Sequence, residues 1–153
     1  NANTFKWKGI SVTVNITYKL GYYFRKSALS YDQLFNYGIG NADFAKRWQK
    51  PGDEKSTNIP SMMYPNVSGR DQFYLLSEAT VLKADHIRLQ FINISYDLDS
   101  SWLHKLPFLN VQVYLNASNL GILWKANKNG IDPDYPSSLY PPQTYAFGLR
   151  VNF

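Results

Sequence analysis

Asp132 and Asp134 stand two positions apart behind Gly130, with Tyr135 beside the second. Two carboxylates at that spacing in a loop can hold a cation or accept hydrogen bonds from sugar hydroxyls. They also serve turns, because Asp accepts from nearby backbone N–H groups and Asp-Pro starts a turn; turn chemistry is the commoner use. His86 and His104 are eighteen residues apart with no partnered carboxylate pattern, which does not describe a zinc site. Cys is absent, so neither a thiolate site nor a disulfide is available. The sequence offers no catalytic residue, no metal site and no cofactor, and an enzyme is not expected.

Aromatic residues make up 16% of the chain and gather in two polar stretches. Trp124, Tyr135, Tyr140 and Tyr145 surround one; Phe35, Tyr37, Phe44, Trp48, Tyr64, Phe73 and Tyr74 populate the other. Exposed aromatic rings stack on the apolar faces of sugars or peptides. The same rings can instead pack the inside of a large loop. Gln112, Tyr114, Asn116 and Ser118 alternate along one strand, a hydrogen-bonding stripe suited to a wet channel or a solvent face. The candidate ligand-binding residues are therefore Trp48, Tyr114, Asn116, Trp124, Asp132, Asp134 and Tyr135. Four Asn-x-Ser/Thr triplets, at Asn15, Asn66, Asn93 and Asn116, are better read as coincidence in an Asn-rich chain, since three fall inside strands.

What positions these residues is hydrophobic alternation with a period of two. Ile10, Val12, Val14, Ile16, Tyr18, Leu20, Tyr22 and Phe24 share one face of a first strand over residues 10–25, with polar residues between them. That is long beside the usual ~5–6 residues and exceeds the roughly 9–11 that cross a bilayer. Tyr18, Leu20 and Phe24 should then face lipid, and Lys19 and Arg25 the interior or its rim. A second strand spans about 85–98; its alternation slips between Phe91 and Ile92, the mark of a β-bulge. A third covers 110–124. The last, 144–153, puts Tyr145, Phe147, Leu149, Val151 and Phe153 on one face.

The connections, 26–82, 99–109 and 125–143, run long, short, long, with a short helical turn expected near 43–49. Membrane barrels pair short periplasmic turns with long extracellular loops. Both ends of the chain would then lie on the short-turn side. Four strands cannot close a barrel of at least about 8, so the chain reads as a piece of a larger one. Its start, Asn1-Ala2-Asn3, fits a processed or partial chain.

The 153 residues carry 18% charged side chains and a formal net charge of +5. The basic residues are scattered without a stripe or an RNA-binding motif, so nucleic acid is not an expected partner. No apolar run reaches the ~18 residues of a membrane helix, and the mean hydropathy of −0.36 is what alternation produces. Composition leaves a second reading open, a soluble β-sandwich that binds carbohydrate.

Specific stretches resemble the C-terminal region of the SusC/RagA family of TonB-dependent outer-membrane transporters. They are Tyr18-Lys19-Leu20-Gly21-Tyr22-Tyr23-Phe24-Arg25, Arg47-Trp48-Gln49-Lys50-Pro51-Gly52-Asp53, Asn58-Ile59-Pro60, Ala84-Asp85-His86-Ile87-Arg88-Leu89 and Ile92-Asn93-Ile94-Ser95-Tyr96. Asn119-Leu120, Gly130-Ile131-Asp132-Pro133-Asp134 and the run from Thr144 to Phe153 follow in order. Family members usually carry a Ser-Tyr-type pair where His86-Ile87 stands, and many have Glu at Asp134.

The resemblance implies the last four strands of an all-β, antiparallel transmembrane barrel of ~22 strands, with the plug and N-terminal domains absent. It implies import of oligosaccharides or peptides with a SusD-like surface lipoprotein, driven through TonB by the missing N-terminal region. It makes Tyr145, Phe147, Leu149, Val151 and Phe153 the signal read by the barrel-insertion machinery. The location would be the outer membrane of a Gram-negative, Bacteroidetes-type cell, with membrane lipid and the remainder of the barrel as partners.

Overall fold

A computed structural model describes residues 2–98, 110–137 and 139–152. By internal contact the chain forms two units, Asn1–Tyr22 with Ala84–Phe153, and Tyr23–Lys83. The fold is antiparallel β with short helices in the second unit.

The first unit is a five-stranded sheet built from β1 (Ala2–Trp7), β2 (Ile10–Lys19), β5 (His86–Asp97), β6 (Asn110–Lys125) and β7 (Thr144–Asn152), in the order β1-β2-β5-β6-β7. Every neighbouring pair is antiparallel. β1 is additional to the four expected strands. It forms a hairpin with β2 through Lys8 (φ 43°) and Gly9 (φ 82°), a two-residue turn with both φ positive, whose twist matches the strands. A Cβ on Gly9 would also stand 3.1 Å from the Asp97 carbonyl. Ala2 pairs with Asn15, part-way up β2, so the chain enters the sheet from the long-loop end and not from the expected turn end.

Directly opposed residues share a face, and the register sorts them by polarity. Phe5–Val12–Ile94–Leu115–Phe147 and Trp7–Ile10–Tyr96–Val113–Leu149 are two rows running across all five strands. Val14, Ile16, Tyr18, Ile87, Leu89 and Ile92 continue the same face. The other face carries rows such as Thr4–Thr13–Asn93–Asn116–Ala146. The apolar face is uncovered: Phe147 is 74% exposed and Phe5 68%. Among the described residues, the buried apolar side chains of this unit are Ala84 and Pro133.

The bulge expected at Phe91–Ile92 lies one residue earlier. Leu89 and Phe91 pair with the consecutive Ile16 and Asn15, so Gln90 is the extra residue, and Ile87 and Leu89 join Ile92, Ile94 and Tyr96 on one face. A second shift leaves Leu123 unopposed, because Ile87 and Arg88 pair with Trp124 and Ile122.

The strand expected over 10–25 divides. Gly21 takes φ 79°, and the N–H groups of Gly21 and Tyr22 donate to Asp85 Oδ1 at 2.6 and 3.4 Å. This turn stops β2 at Lys19 although the alternation runs on. Lys19, His86 and Lys125 lie side by side at one end of the sheet. The connections following β2 and β6 both leave there, as the barrel reading expects. The connection over 99–109 is outside the described residues.

The second unit pairs β3 (Tyr23–Arg25) with β4 (Val81–Lys83). Arg25 Nη1 donates to the carbonyls of Leu75 and Ser77 at 2.9 and 2.8 Å, so it tethers this unit's own backbone. Between the strands lie α1 (Tyr31–Tyr37) and α2 (Ser68–Leu76), with short 3-10 turns at Ala42–Lys46, Asp53–Lys55 and Glu78–Thr80. The first of these falls where a helical turn was expected. Ser30 caps α1, its Oγ accepting from Gln33 N–H. Leu29, Tyr31, Ile59 and Tyr74 form a small core with Phe35 and Phe44 against it, and burial above all pushes the Tyr74 phenol up to about 12. The long loop thus has its own packed interior. No helix among the described residues is long and apolar enough to cross a membrane.

Candidate functional site

Arg88 sits on β5 between Ile87 and Leu89, whose side chains take the apolar face, so alternation turns Arg88 to the polar one. There it meets the loop after β6. Arg88 Nη2 donates to both oxygens of Asp132, at 2.5 and 2.7 Å, and Nε to Asp134 Oδ2 at 3.2 Å. Lys19, on the polar face of β2, donates to Asp134 Oδ1 at 2.7 Å. His86 Nε2 lies 3.1 Å from Asp134 Oδ2. A carboxylate only accepts, so Nε2 carries the proton in that contact. His86 Nδ1 lies 2.9 Å from the Ala84 carbonyl and 3.0 Å from the Tyr22 hydroxyl, and the ring is fully buried.

The loop's own turn chemistry completes the cluster. Asp132 Oδ1 accepts from Asp134 N–H at 3.0 Å, and the Asp132 carbonyl from Tyr135 N–H at 3.1 Å. The ring of Tyr135 lies 5.7 Å from the Arg88 guanidinium carbon, within cation–π range. Asp132 and Asp134 thus form a turn and at the same time meet the protein's own cations. All four carboxylate oxygens are engaged. Burial by itself would raise the Asp134 carboxyl; the Lys19 hydrogen bond and the charges of His86, Lys19 and Arg88 outweigh it and hold the group below the ordinary carboxylate range.

Beside the cluster is a cleft of about 400 Å³, bounded by β5, β6 and the loop. Gln90, Asn119, Lys125, Tyr135, Tyr140 and Gln143 contribute to its lining with Arg88 and the two aspartates. Asn119 Nδ2 donates to the Pro142 carbonyl at 3.1 Å, and Tyr145 hydroxyl to Gln143 Oε1 at 3.0 Å. These bonds tie the 140–143 segment to the adjoining strands. The volume is within the roughly 300–1,000 Å³ of small-ligand sites.

Of the sequence candidates, Asp132, Asp134 and Tyr135 come together here. Trp124 does not: it opposes Ile87 on the apolar face, because the unpaired Leu123 reverses the parity of β6. Tyr114 is on the polar face, but its phenol lies against Gly148, where an added Cβ would fall 2.5 Å from the hydroxyl oxygen. Asn116, opposite Asn93 and Ala146, accepts from Ser118 Oγ at 2.6 Å. Trp48 belongs to the second unit, where its indole N–H donates to the Lys50 carbonyl. Tyr145, Phe147, Leu149 and Val151 share the apolar face of β7; Phe153 and His104 are outside the described residues. Sequence reasoning did not place Arg88, Lys125, Gln90, Asn119 and Gln143 in a site. The available signal was Arg88, an unneutralised charge within a quoted motif.

No protein-family model matches the chain, and no curated protein is significantly similar to it. Solved structures are. A chain of the RagAB peptide importer in its open-open state superposes with a TM-score of 0.60 at 22% identity, over 96% of this chain and 16% of that one. The closed-closed state gives 0.57 at 22% identity, over 99% and 17%, and a further structure of the RagAB peptide transporter 0.56 at 22%, over 97% and 16%. This chain therefore spans only 16–17% of the length of those chains. The likeness is one of fold: nearly the whole chain follows a segment of these larger proteins.

Proposed function

We propose that the chain is the C-terminal part of the transmembrane β-barrel of a SusC/RagA-type, TonB-dependent outer-membrane transporter. One observation carries this reading. Rows of apolar side chains cross five strands without a charge, and their polar counterparts fill the opposite face. A sheet with that division is at rest between lipid and a wet lumen. A soluble carbohydrate-binding sandwich would need a second sheet over the apolar face, and among the described residues nothing buries it.

In this reading β1 and β7, the two outer strands, continue into the rest of a barrel of ~22 strands, since lipid cannot satisfy open sheet edges. The whole protein imports peptides or oligosaccharides beneath a SusD-like lipoprotein, energised through TonB. The fold likeness to a peptide importer favours peptides. Tyr145, Phe147, Leu149, Val151 and Phe153 serve as the insertion signal.

The test is expression of the full-length protein, fractionation of the envelope and heat-modifiable migration on gels. A heat-modifiable outer-membrane band is expected, reduced when Phe153 is replaced by Ser. A protein found wholly in the aqueous fraction without detergent would overturn the barrel reading.

A further inference from the structure

The charges around the cleft do not cancel. Lys19, Arg88 and Lys125 face two carboxylates, Asp132 and Asp134. Each oxygen of those carboxylates already accepts a hydrogen bond from a group of the chain itself. Lys125 is different. Among the described residues it pairs with no carboxylate, and its Nζ reaches only the Ile131 carbonyl, at a long 3.4 Å. Arg88 has committed Nη2 and Nε to the aspartates. Its Nη1 has no partner among the described residues, yet is not among the buried unsatisfied atoms, so solvent reaches it. Both cations line the same cleft. Asp132 and Asp134 line it too; its other polar side chains are the uncharged amides and phenols of Gln90, Asn119, Gln143, Tyr135 and Tyr140, and the remainder is glycine, proline and Ile122.

We infer that this cleft is a binding subsite for a ligand carboxylate, with Lys125 as the anchor and Arg88 Nη1 as a second donor. Asp132 and Asp134 are positioning residues: they fix the Arg88 plane so that one nitrogen remains for the ligand. The amides supply hydrogen bonds to a neighbouring peptide or hydroxyl group, and the two tyrosines offer rings beside it. The inference rests on the transporter reading, because a lumen-facing cleft sees only what enters the barrel. The carboxylate could come from a peptide C-terminus or from a uronic acid.

The experiment uses the full-length protein purified in detergent, with a heat-modifiability control on every variant. Four probes are titrated by calorimetry: tetra-alanine, its C-terminal amide, a galacturonate trimer and a neutral galactose trimer. Wild type should bind one carboxylate probe roughly tenfold more tightly than its neutral counterpart, the scale of one charge-assisted hydrogen bond. Lys125→Gln should abolish that preference, and Lys125→Arg should keep most of it. Which pair shows the preference identifies the source of the carboxylate. Equal binding of charged and neutral probes, a preference that survives Lys125→Gln, or no binding of any probe to an intact barrel would each overturn the inference. Loss of the heat-modifiable barrel in wild type would instead overturn the transporter reading itself.

Discussion

Arg88 grips Asp132 through a single nitrogen that meets both carboxylate oxygens, at 2.5 and 2.7 Å. The two residues are separated by 44 positions, so the contact ties a loop to a strand. Replacing Arg88 by Ala removes three charge-assisted hydrogen bonds; Asp134 keeps its contacts with Lys19 and His86, and Asp132 loses its cation. Each such bond is worth roughly 1.5–3 kcal/mol. The expected outcome is a released loop in an otherwise intact sheet, seen as protease nicking near residues 128–137 at an unchanged heat-modification temperature. Arg88→Lys should restore only part of the protection, since an ammonium cannot span both aspartates.

How much of this was legible in the sequence depends on the period of the pattern. The alternation of β2 and β7 is local, repeats every second residue and needs no partner to be recognised. β1 escaped because Phe5 and Trp7 are its only large apolar residues, and Lys8-Gly9 is not one of the common hairpin pairs. The end of β2 escaped for the opposite reason. The alternation continues through Phe24, and only the positive φ of Gly21, fixed by a carboxylate 64 residues away, breaks it. Trp124 was misplaced because a single unpaired residue, Leu123, inverts every side chain beyond it. The charged cluster joins Lys19, His86, Arg88, Asp132 and Asp134, and no spacing rule reaches across such separations.

Acid should open the same loop. Asp134 is held below the ordinary carboxylate range, so its contribution is fully present above that range, near pH 3.9, and disappears as the pH falls through its lower folded value. The chain has no native cysteine, so Ser137→Cys, with any cysteine elsewhere in the full-length protein replaced by Ser, gives a single site for a nitroxide label. Label mobility should be flat from pH 7 to about 5 and should rise below about 4, following the carboxylate. In an Asp134→Asn background the label should be mobile at every pH. A mobility step centred near pH 6–7 would assign the switch to a different group.

Tyr114 and Gly148 should behave as one unit. A methyl at residue 148 would fall 2.5 Å from the Tyr114 oxygen and 3.0 Å from a ring carbon, so the ring must leave its place across the strand pair. Gly148→Ala should cost about 1–3 kcal/mol, the usual scale of overpacking. In a Tyr114→Ala background the same substitution should cost nearly nothing. The double-mutant cycle, read from heat-modification temperatures, would show additive effects if the two residues did not touch.

The division between the two faces of the sheet makes the sharpest demand, because it separates neighbours in the chain. Val14 opposes Asn3 and Ile92, on the side that carries Phe5, Ile94 and Phe147; Thr13 opposes Thr4 and Asn93, on the polar side. Both lie well inside β2, at similar depth, and differ only in which way the side chain points. A lysine facing lipid near the midplane costs roughly 2–4 kcal/mol, whereas a lysine in the wet lumen keeps its hydration. Val14→Lys should therefore strongly reduce the heat-modifiable form of the full-length protein in membrane fractions. Thr13→Lys should assemble close to the wild-type level, losing only the exposed Thr4–Thr13 hydroxyl contact of 2.9 Å. Equal tolerance of the two substitutions would mean that the face carrying Phe5 and Phe147 does not meet lipid, and the reading of this sheet as a barrel wall would fail with it.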